Sequence, residues 1–185
     1  MEEEEILETQ YPKISIIIPI YNGGKYLYRS LRSVQNQKMK EIEIIIVDDN
    51  SSDDSVNIIK NYMKEDRRIK LIENKVNRKI LFSKSIGVLN SRGKYVFVLD
   101  QDDMFIREDA FDLVYNESEK YGLDLISIQY SSGEDVFKNI RKINNLIKFE
   151  NMIKMQPELK YSMFKVNKCL LWGYFINADL YKKII

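Results

Sequence analysis

The sequence predicts an α/β fold, a mostly parallel sheet with helices on both faces. Three observations predict it. Short apolar runs alternate with helix-patterned segments from Ile14 to Tyr130. The runs are continuously apolar, as strands covered on both faces are. Two of them, Ile42–Val47 and Tyr95–Leu99, end abruptly in acids: Asp48-Asp49 and Asp100-Gln101-Asp102-Asp103. Right-handed crossovers would bring those ends to one edge of the sheet. That edge is where open α/β sheets bind ligands.

The elements follow in order. Residues 1–12 are acidic and aperiodic up to Pro12, which predicts a flexible arm. Ile14–Ile18 is a strand by length and β-branching, and Pro19 is expected to end it. Tyr21-Asn22-Gly23-Gly24 has turn chemistry. A helix follows, with Leu27, Leu31 and Val34 at helical spacing. After the strand Ile42–Val47, Asn50-Ser51-Ser52-Asp53 supplies N-cap residues for a helix from about Asp54 to Lys64. Ile69–Glu73 reads as a third strand, Asn74–Lys79 as a polar basic loop and Ile80–Asn90 as a helix. Tyr95–Leu99 is the acid-tipped strand. Helix Arg107–Lys120 and strand Leu123–Tyr130 come next. Beyond Ser131-Ser132-Gly133 the pattern weakens. Ile140–Met155 reads as helical, Cys169–Ile176 as a strand and Ala178–Ile185 as a helix. Residues 13–130 thus form the predicted core, and 131–185 an appended, incomplete segment.

Composition narrows the chemistry. The chain has 185 residues, 44% apolar and 31% charged, which suits a globular domain with a real core. Histidine is absent, which excludes Ser-His-Asp and Cys-His catalysis and His-ligated zinc. The single cysteine, Cys169, excludes an internal disulfide. No apolar run has transmembrane length, and the acidic start is unlike a signal peptide, so a cytoplasmic location is expected, with peripheral membrane association left open. Net charge is +1, but unevenly spread. Residues 1–135 hold 19 Lys+Arg against 25 Asp+Glu, and residues 136–185 hold 10 against 3. The basic residues are dispersed rather than clustered, which argues against nucleic acid.

Asp100, Asp102 and Asp103 repel one another unless a cation lies between them. A divalent metal site of oxygen donors is one reading, and an acidic helix N-cap is the other. Alternation along the strand would send Asp100 and Asp102 to one side and Asp103 to the other. With Tyr21-Asn22 and Asp48-Asp49, three strand ends would surround one crevice. An aromatic ring there can stack on a base, and carboxylates can accept from base or ribose. The assembly reads as a nucleotide-diphosphate site. G-x-G-x-x-G and G-x-x-x-x-G-K-[ST] are both absent.

The segments I-S-I-I-I-P-I-Y-N, V-D-D-N-S-S-D, N-R-K-I-L-F-S-K-S-I-G and Y-V-F-V-L-D-Q-D-D resemble family 2 glycosyltransferases of the Rossmann-like GT-A fold. By that resemblance, Pro19, Ile20, Tyr21 and Asn22 line the nucleotide pocket. Asp49 binds the base, most often uracil, and Asp48 supports its turn. Asp100-Gln101-Asp102 is the D-x-D motif, with Asp100 near the ribose and Asp102 on Mg²⁺ or Mn²⁺; both are metal candidates. Asp103 shares the metal or the sugar. The third segment departs from the family's N-x-G-x-s-x-A-R-N-x-G. Lys79 replaces its first Gly, and Ser83-Lys84-Ser85 replaces Ala-Arg-Asn. Lys84 is either a diphosphate contact or a solvated helix-face lysine, with Arg78 and Lys79 placed similarly.

The resemblance implies metal-dependent, inverting transfer of a sugar from a nucleotide-sugar, a UDP-sugar by preference, to a glycan, protein or lipid acceptor. The catalytic base has no clear counterpart. Asp103 and Asp135, the latter in Glu134-Asp135, are its candidates. Trp172 borders an acceptor sugar or sits in the core. The rival readings are a nucleotidyltransferase and a donor-binding domain without transferase activity.

Overall fold

The computed structural model of the chain describes residues 11–127, 152–153 and 174–182. Within them the order is β1 (Ile14–Ile20), α1 (Gly24–Gln35), β2 (Ile42–Asp48), α2 (Ser55–Glu65), β3 (Ile69–Glu73), α3 (Ile80–Leu89), β4 (Tyr95–Val98), α4 (Ala110–Tyr121), β5 (Leu125–Ser127), β6 (Met152–Ile153), β7 (Tyr174–Asn177) and α5 (Ala178–Lys182). The described strands form one sheet in the order β3-β2-β1-β4-β7-β5-β6. β1 pairs in parallel with β2 and β4, and β2 with β3. β7 is inserted antiparallel between β4 and β5. The sheet is therefore mixed, with its parallel half on the β1 side.

Side-chain alternation along the strands sorts the core into two layers. Ile14, Ile16, Ile18 and Ile20 of β1 pack with Leu27, Leu31 and Val34 of α1, Ile59 of α2, and Phe111 and Val114 of α4. Ile17, Ile45, Val47, Val96 and Val98 face Val88 of α3 and Leu180 and Tyr181 of α5. Every residue of β1 and β2 is buried, so the continuous apolar runs reflect helices on both faces.

Several boundaries differ from the sequence reading. Pro19 lies inside β1 and does not end it. Pairing with β4 stops at Ile17↔Val98, whereas pairing with β2 runs on to Ile20↔Asp48. Residues on the same side as Ile17, whose carbonyl accepts from Leu99, face β4. The missing N–H of Pro19 thus points past the end of β4, where no ladder bond is lost. α4 begins at Ala110 rather than Arg107, because Arg107 is tied to Asp109 ahead of the helix. Met152–Ile153, expected to be helical, pairs as a strand with β5. Pro12 is buried, and its carbonyl accepts from Lys94. Residues 1–10, Asp135, Cys169 and Trp172 lie outside the described residues.

Candidate functional site

β1, β2 and β4 are parallel, so their C-terminal ends reach the same edge. Tyr21-Asn22, Asp48-Asp49 and Asp100–Asp103 meet there. Hydrogen bonds stitch the ends together: Asp49 N–H donates to Ile20 O at 2.8 Å, and Tyr21 N–H donates to the Gln101 side-chain Oε1 at 3.0 Å. Gln101 thus ties two loops that lie 80 residues apart in the chain. Gly23 leaves room for it, because a Cβ there would collide with the Gln101 amide. Tyr21 itself is exposed, while the Ile20 side chain is in the core, so Ile20 meets the site through its backbone.

Asn22 organises the neighbouring turn. It adopts φ 50°, in the left-handed region that Asn tolerates. Its N–H donates to Ser51 Oγ, and its Oδ1 accepts from the Ser52 and Asp53 amides. Asp53 accepts in return from the Gly24 amide, and Ser55 Oγ from the Gly23 amide. Sequence reasoning took Ser51, Ser52 and Asp53 only as cap residues, yet they lock the first two loops together. Asp48 is buried, and its Oδ2 accepts from the Ser51 amide at 3.0 Å, holding the turn in which Asn50 has φ 65°.

Asp49 is nearly inaccessible and is a clamp. Its Oδ1 accepts from Asn74 Nδ2 at 2.9 Å and from the Arg78 amide at 2.8 Å. Its Oδ2 accepts from the Lys79 amide at 2.8 Å. Burial alone would raise its pKa; these donors outweigh it and hold the carboxyl below its ordinary value. Each carboxylate oxygen accepts about two bonds, so Oδ2 keeps capacity for one more donor. Asn74 also reaches Ser83 Oγ at 3.2 Å. Neither Asn74 nor Ser83 is a site residue in the sequence reading, which names them only as a loop start and a motif departure; an Asn closing a strand beside a basic loop was the available signal. Lys79 adopts φ 71°, at the position where the family motif has Gly. Arg78 and Lys79 therefore touch Asp49 through their backbone, and the Arg78 guanidinium lies 4.4 Å from the Phe82 ring centroid.

The acidic tip differs from the expected alternation. β4 ends at Val98, and Asp100–Asp103 is a turn closed by Asp103 N–H to Asp100 O at 3.0 Å. Lys84 Nζ stands 2.9 Å from Asp100 Oδ1. The contact is ionic, since that oxygen receives no directed hydrogen bond. Lys84 is mostly buried, so the solvated-lysine reading does not hold. Asp102 is exposed. The donor set suits a hard cation, being carboxylate oxygen throughout. Among the described residues no three acids converge into a preformed metal cluster. A cation at this rim would rest on Asp102, with Asp100 released from Lys84 or left to it, and would draw its other oxygens from a ligand.

The chain as a whole is similar to known proteins. Residues 15–179 match the model of glycosyl transferase family 2. The chain is 32% identical to a GalNAc(5)-diNAcBac-PP-undecaprenol beta-1,3-glucosyltransferase of Campylobacter jejuni, over 92% of this chain and 56% of that one. It is 36% identical to the poly(ribitol-phosphate) beta-N-acetylglucosaminyltransferase TarP of Staphylococcus aureus, over 74% of this chain and 43% of that one. The chain thus spans about half the length of these relatives, and only 25% of glycosyltransferase GlyA of Streptococcus pneumoniae. Among solved structures, S. aureus TarS 1–349 in complex with UDP-GlcNAc superposes with a TM-score of 0.59 at 23% identity, covering 68% of this chain and 38% of that one. The mannosyltransferase PcManGT of Pyrobaculum calidifontis, in complex with GDP-Man and Mn²⁺, gives 0.57 at 18%, covering 66% and 37%. Those two likenesses establish the fold. The fold is GT-A, and the chain belongs to glycosyl transferase family 2.

Proposed function

We propose that this chain is the donor-binding part of an inverting glycosyltransferase that takes a UDP-sugar with Mn²⁺ or Mg²⁺. The observation that carries the reading is the joining of three strand ends at one rim. Asp49 and its clamped loop lie at one end of that rim, and Asp100–Asp103 at the other. The neighbours solved with UDP-GlcNAc and with GDP-Man and Mn²⁺ support it by analogy of fold.

In this reading Asp49 Oδ2 accepts from the base N–H, and Tyr21 lies against the ring. The turn held by Asn22 and Asp48 fixes the base's position, and Asp100 faces the ribose. Asp102 would hold the divalent cation, which when bound would supply positive charge to offset that on the departing diphosphate. Lys84 supplies a second positive charge beside it. The acceptor hydroxyl attacks the anomeric carbon from the face opposite the diphosphate, a carboxylate takes its proton, and the nucleoside diphosphate leaves. Asp103 is the candidate base within the described residues, and Asp135 the one outside them. The acceptor is a glycan, a protein or a lipid; the Campylobacter relative is named for a lipid-linked one.

The test is a thermal shift with UDP, GDP and CDP, each with and without Mn²⁺, followed by product analysis with UDP-sugars. The proposal expects a metal-dependent shift for UDP and release of UDP on turnover. Released pyrophosphate would identify a nucleotidyltransferase instead. Metal-dependent UDP binding with neither transfer nor hydrolysis would identify a binding domain.

A further inference from the structure

Helix α3 is apolar on its outer side as well as its inner one. Its sheet-facing side carries Ser83, Gly87 and Val88, all buried. The helix lies so close to β1 that a Cβ on Gly87 would collide with Ile17 Cγ2. Ile86 packs on that side too, but other large apolar residues of α3 face away from the sheet. Leu81 is 46% exposed and Leu89 56%, and Ser85 between them sits on the same face at the i, i+4, i+8 spacing. Ile80 is 51% exposed, and Val76 in the preceding loop 55%. A helix on a water-facing surface has a polar outer face, with its apolar stripe turned to the core.

Charge marks the same surface. Residues 74–94 contain six Lys or Arg and no Asp or Glu. Three of the six, Lys75, Arg78 and Lys79, are exposed on the loop that enters α3, beside Val76 and Ile80. Of the neighbouring acids, Glu73 pairs with Lys60, and Asp49 is buried and accepts from the Arg78 and Lys79 amides rather than from their side chains. At the far end of the segment, Arg92 and Lys94 are paired with Glu43 and Glu119. Among the described residues the Lys75, Arg78 and Lys79 side chains make no ion pair, so exposed positive charge lies at one end of an outward apolar face.

We propose that this face is a membrane-contact surface for anionic lipid headgroups. α3 lies in the plane of the interface. Leu81, Leu89, Ile80 and Val76 enter the headgroup–acyl boundary, and Lys75, Arg78 and Lys79 meet lipid phosphates. An apolar face alone would suit a protein partner. The acid-free cationic flank selects a surface that is itself negative. The surface adjoins the proposed donor site but does not depend on it. Its contact loop contains the two amides that clamp Asp49, so docking would brace that loop.

The test is co-sedimentation of the full 185-residue chain with vesicles of phosphatidylcholine alone, or of phosphatidylcholine with phosphatidylglycerol. Binding is expected to need phosphatidylglycerol and to weaken as salt rises. The Leu81→Ser/Leu89→Ser double variant should lose about tenfold in partitioning, and Lys75→Glu about tenfold on anionic vesicles only. Both variants should keep the wild-type circular dichroism and melting temperature, since all three side chains are exposed. Partitioning no better with phosphatidylglycerol than without it would overturn the proposal. So would a double variant that binds like wild type, or one whose only effect is to split a dimer in sedimentation. Because no nucleotide is present, the result is independent of whether UDP binds.

Discussion

The Lys84 ammonium and the Asp100 carboxylate stand 2.9 Å apart, joining helix α3 to the tip of β4. A lysine occupies part of the ground that a metal would take. Under the proposed function, Lys84 and a divalent cation would compete for Asp100 while no nucleotide is bound. Lys84→Met removes the competitor. Mn²⁺ affinity of the free protein should rise by about tenfold, the equivalent of about 1.4 kcal/mol, whereas UDP affinity in the presence of Mn²⁺ should fall. Titration calorimetry in both regimes checks this; a parallel fall in both affinities would assign Lys84 a structural role only.

Gln101 and Gly23 act as one unit. Gln101→Ala removes the acceptor for the Tyr21 amide, an exposed bond worth about 1 kcal/mol or less. Gly23→Ala displaces the same side chain. Each should weaken UDP binding several-fold with little change in melting temperature. The double variant should resemble either single one, because the second change removes nothing further. Additive losses in UDP affinity would separate the two residues.

Lys79 holds a conformation suited to glycine, φ 71° and ψ 162°. Non-glycine residues pay about 1–3 kcal/mol for such geometry, partly offset by the larger unfolded-state entropy of Gly. Lys79→Gly should therefore stabilise the chain by about 1 kcal/mol, measured by urea unfolding. It should keep the bond from the residue 79 amide to Asp49. No gain, or a loss, would show that the Lys79 side chain contributes packing that offsets the strain.

Asp49 and Asp66 are among the carboxyls that should make the fold acid-sensitive. The Arg68 guanidinium beside Asp66 holds its carboxyl at about 2, against 3.8 in the unfolded chain. Asp49 is also lowered from 3.8, its burial outweighed by the Arg78 amide, Asn74 and the Lys79 amide. Both carboxyls are depressed in the folded state. Their contribution is thus complete above about pH 4 and lost as pH falls through the folded values. At pH 7, Asp66→Asn should cost about 2 kcal/mol. Asp49→Asn should cost about 2–3 kcal/mol, because an NH₂ group then faces a buried donor. Both differences should shrink when unfolding is repeated near pH 3. A pH-independent difference would trace the losses to packing rather than ionisation.

The parallel half of the fold was legible because its signals are local. The apolar runs of β1 to β4 and the spacing of Leu27, Leu31 and Val34 depend on neighbours a few residues away. The acids at the ends of β2 and β4 marked the rim for the same reason. What stayed hidden depends on distant partners. β7 enters between β4 and β5 from about fifty residues further along, and no local pattern encodes that pairing. Pro19 remains in β1 because β4 stops short, a fact of the neighbouring strand. Asp49 was legible as a residue of the strand-end rim, but its clamp was not, since two of its donors are backbone amides that any sequence carries. The same holds for Lys84, whose partner lies sixteen residues away across the sheet edge.

The most direct test is a crystal structure with UDP and Mn²⁺, read from the anomalous signal of manganese. The account predicts a manganese peak bonded to the Asp102 carboxylate and to diphosphate oxygens, with the uracil within hydrogen-bond distance of Asp49. Density for UDP at another edge of the sheet, or at this rim with no manganese on Asp102, would contradict it.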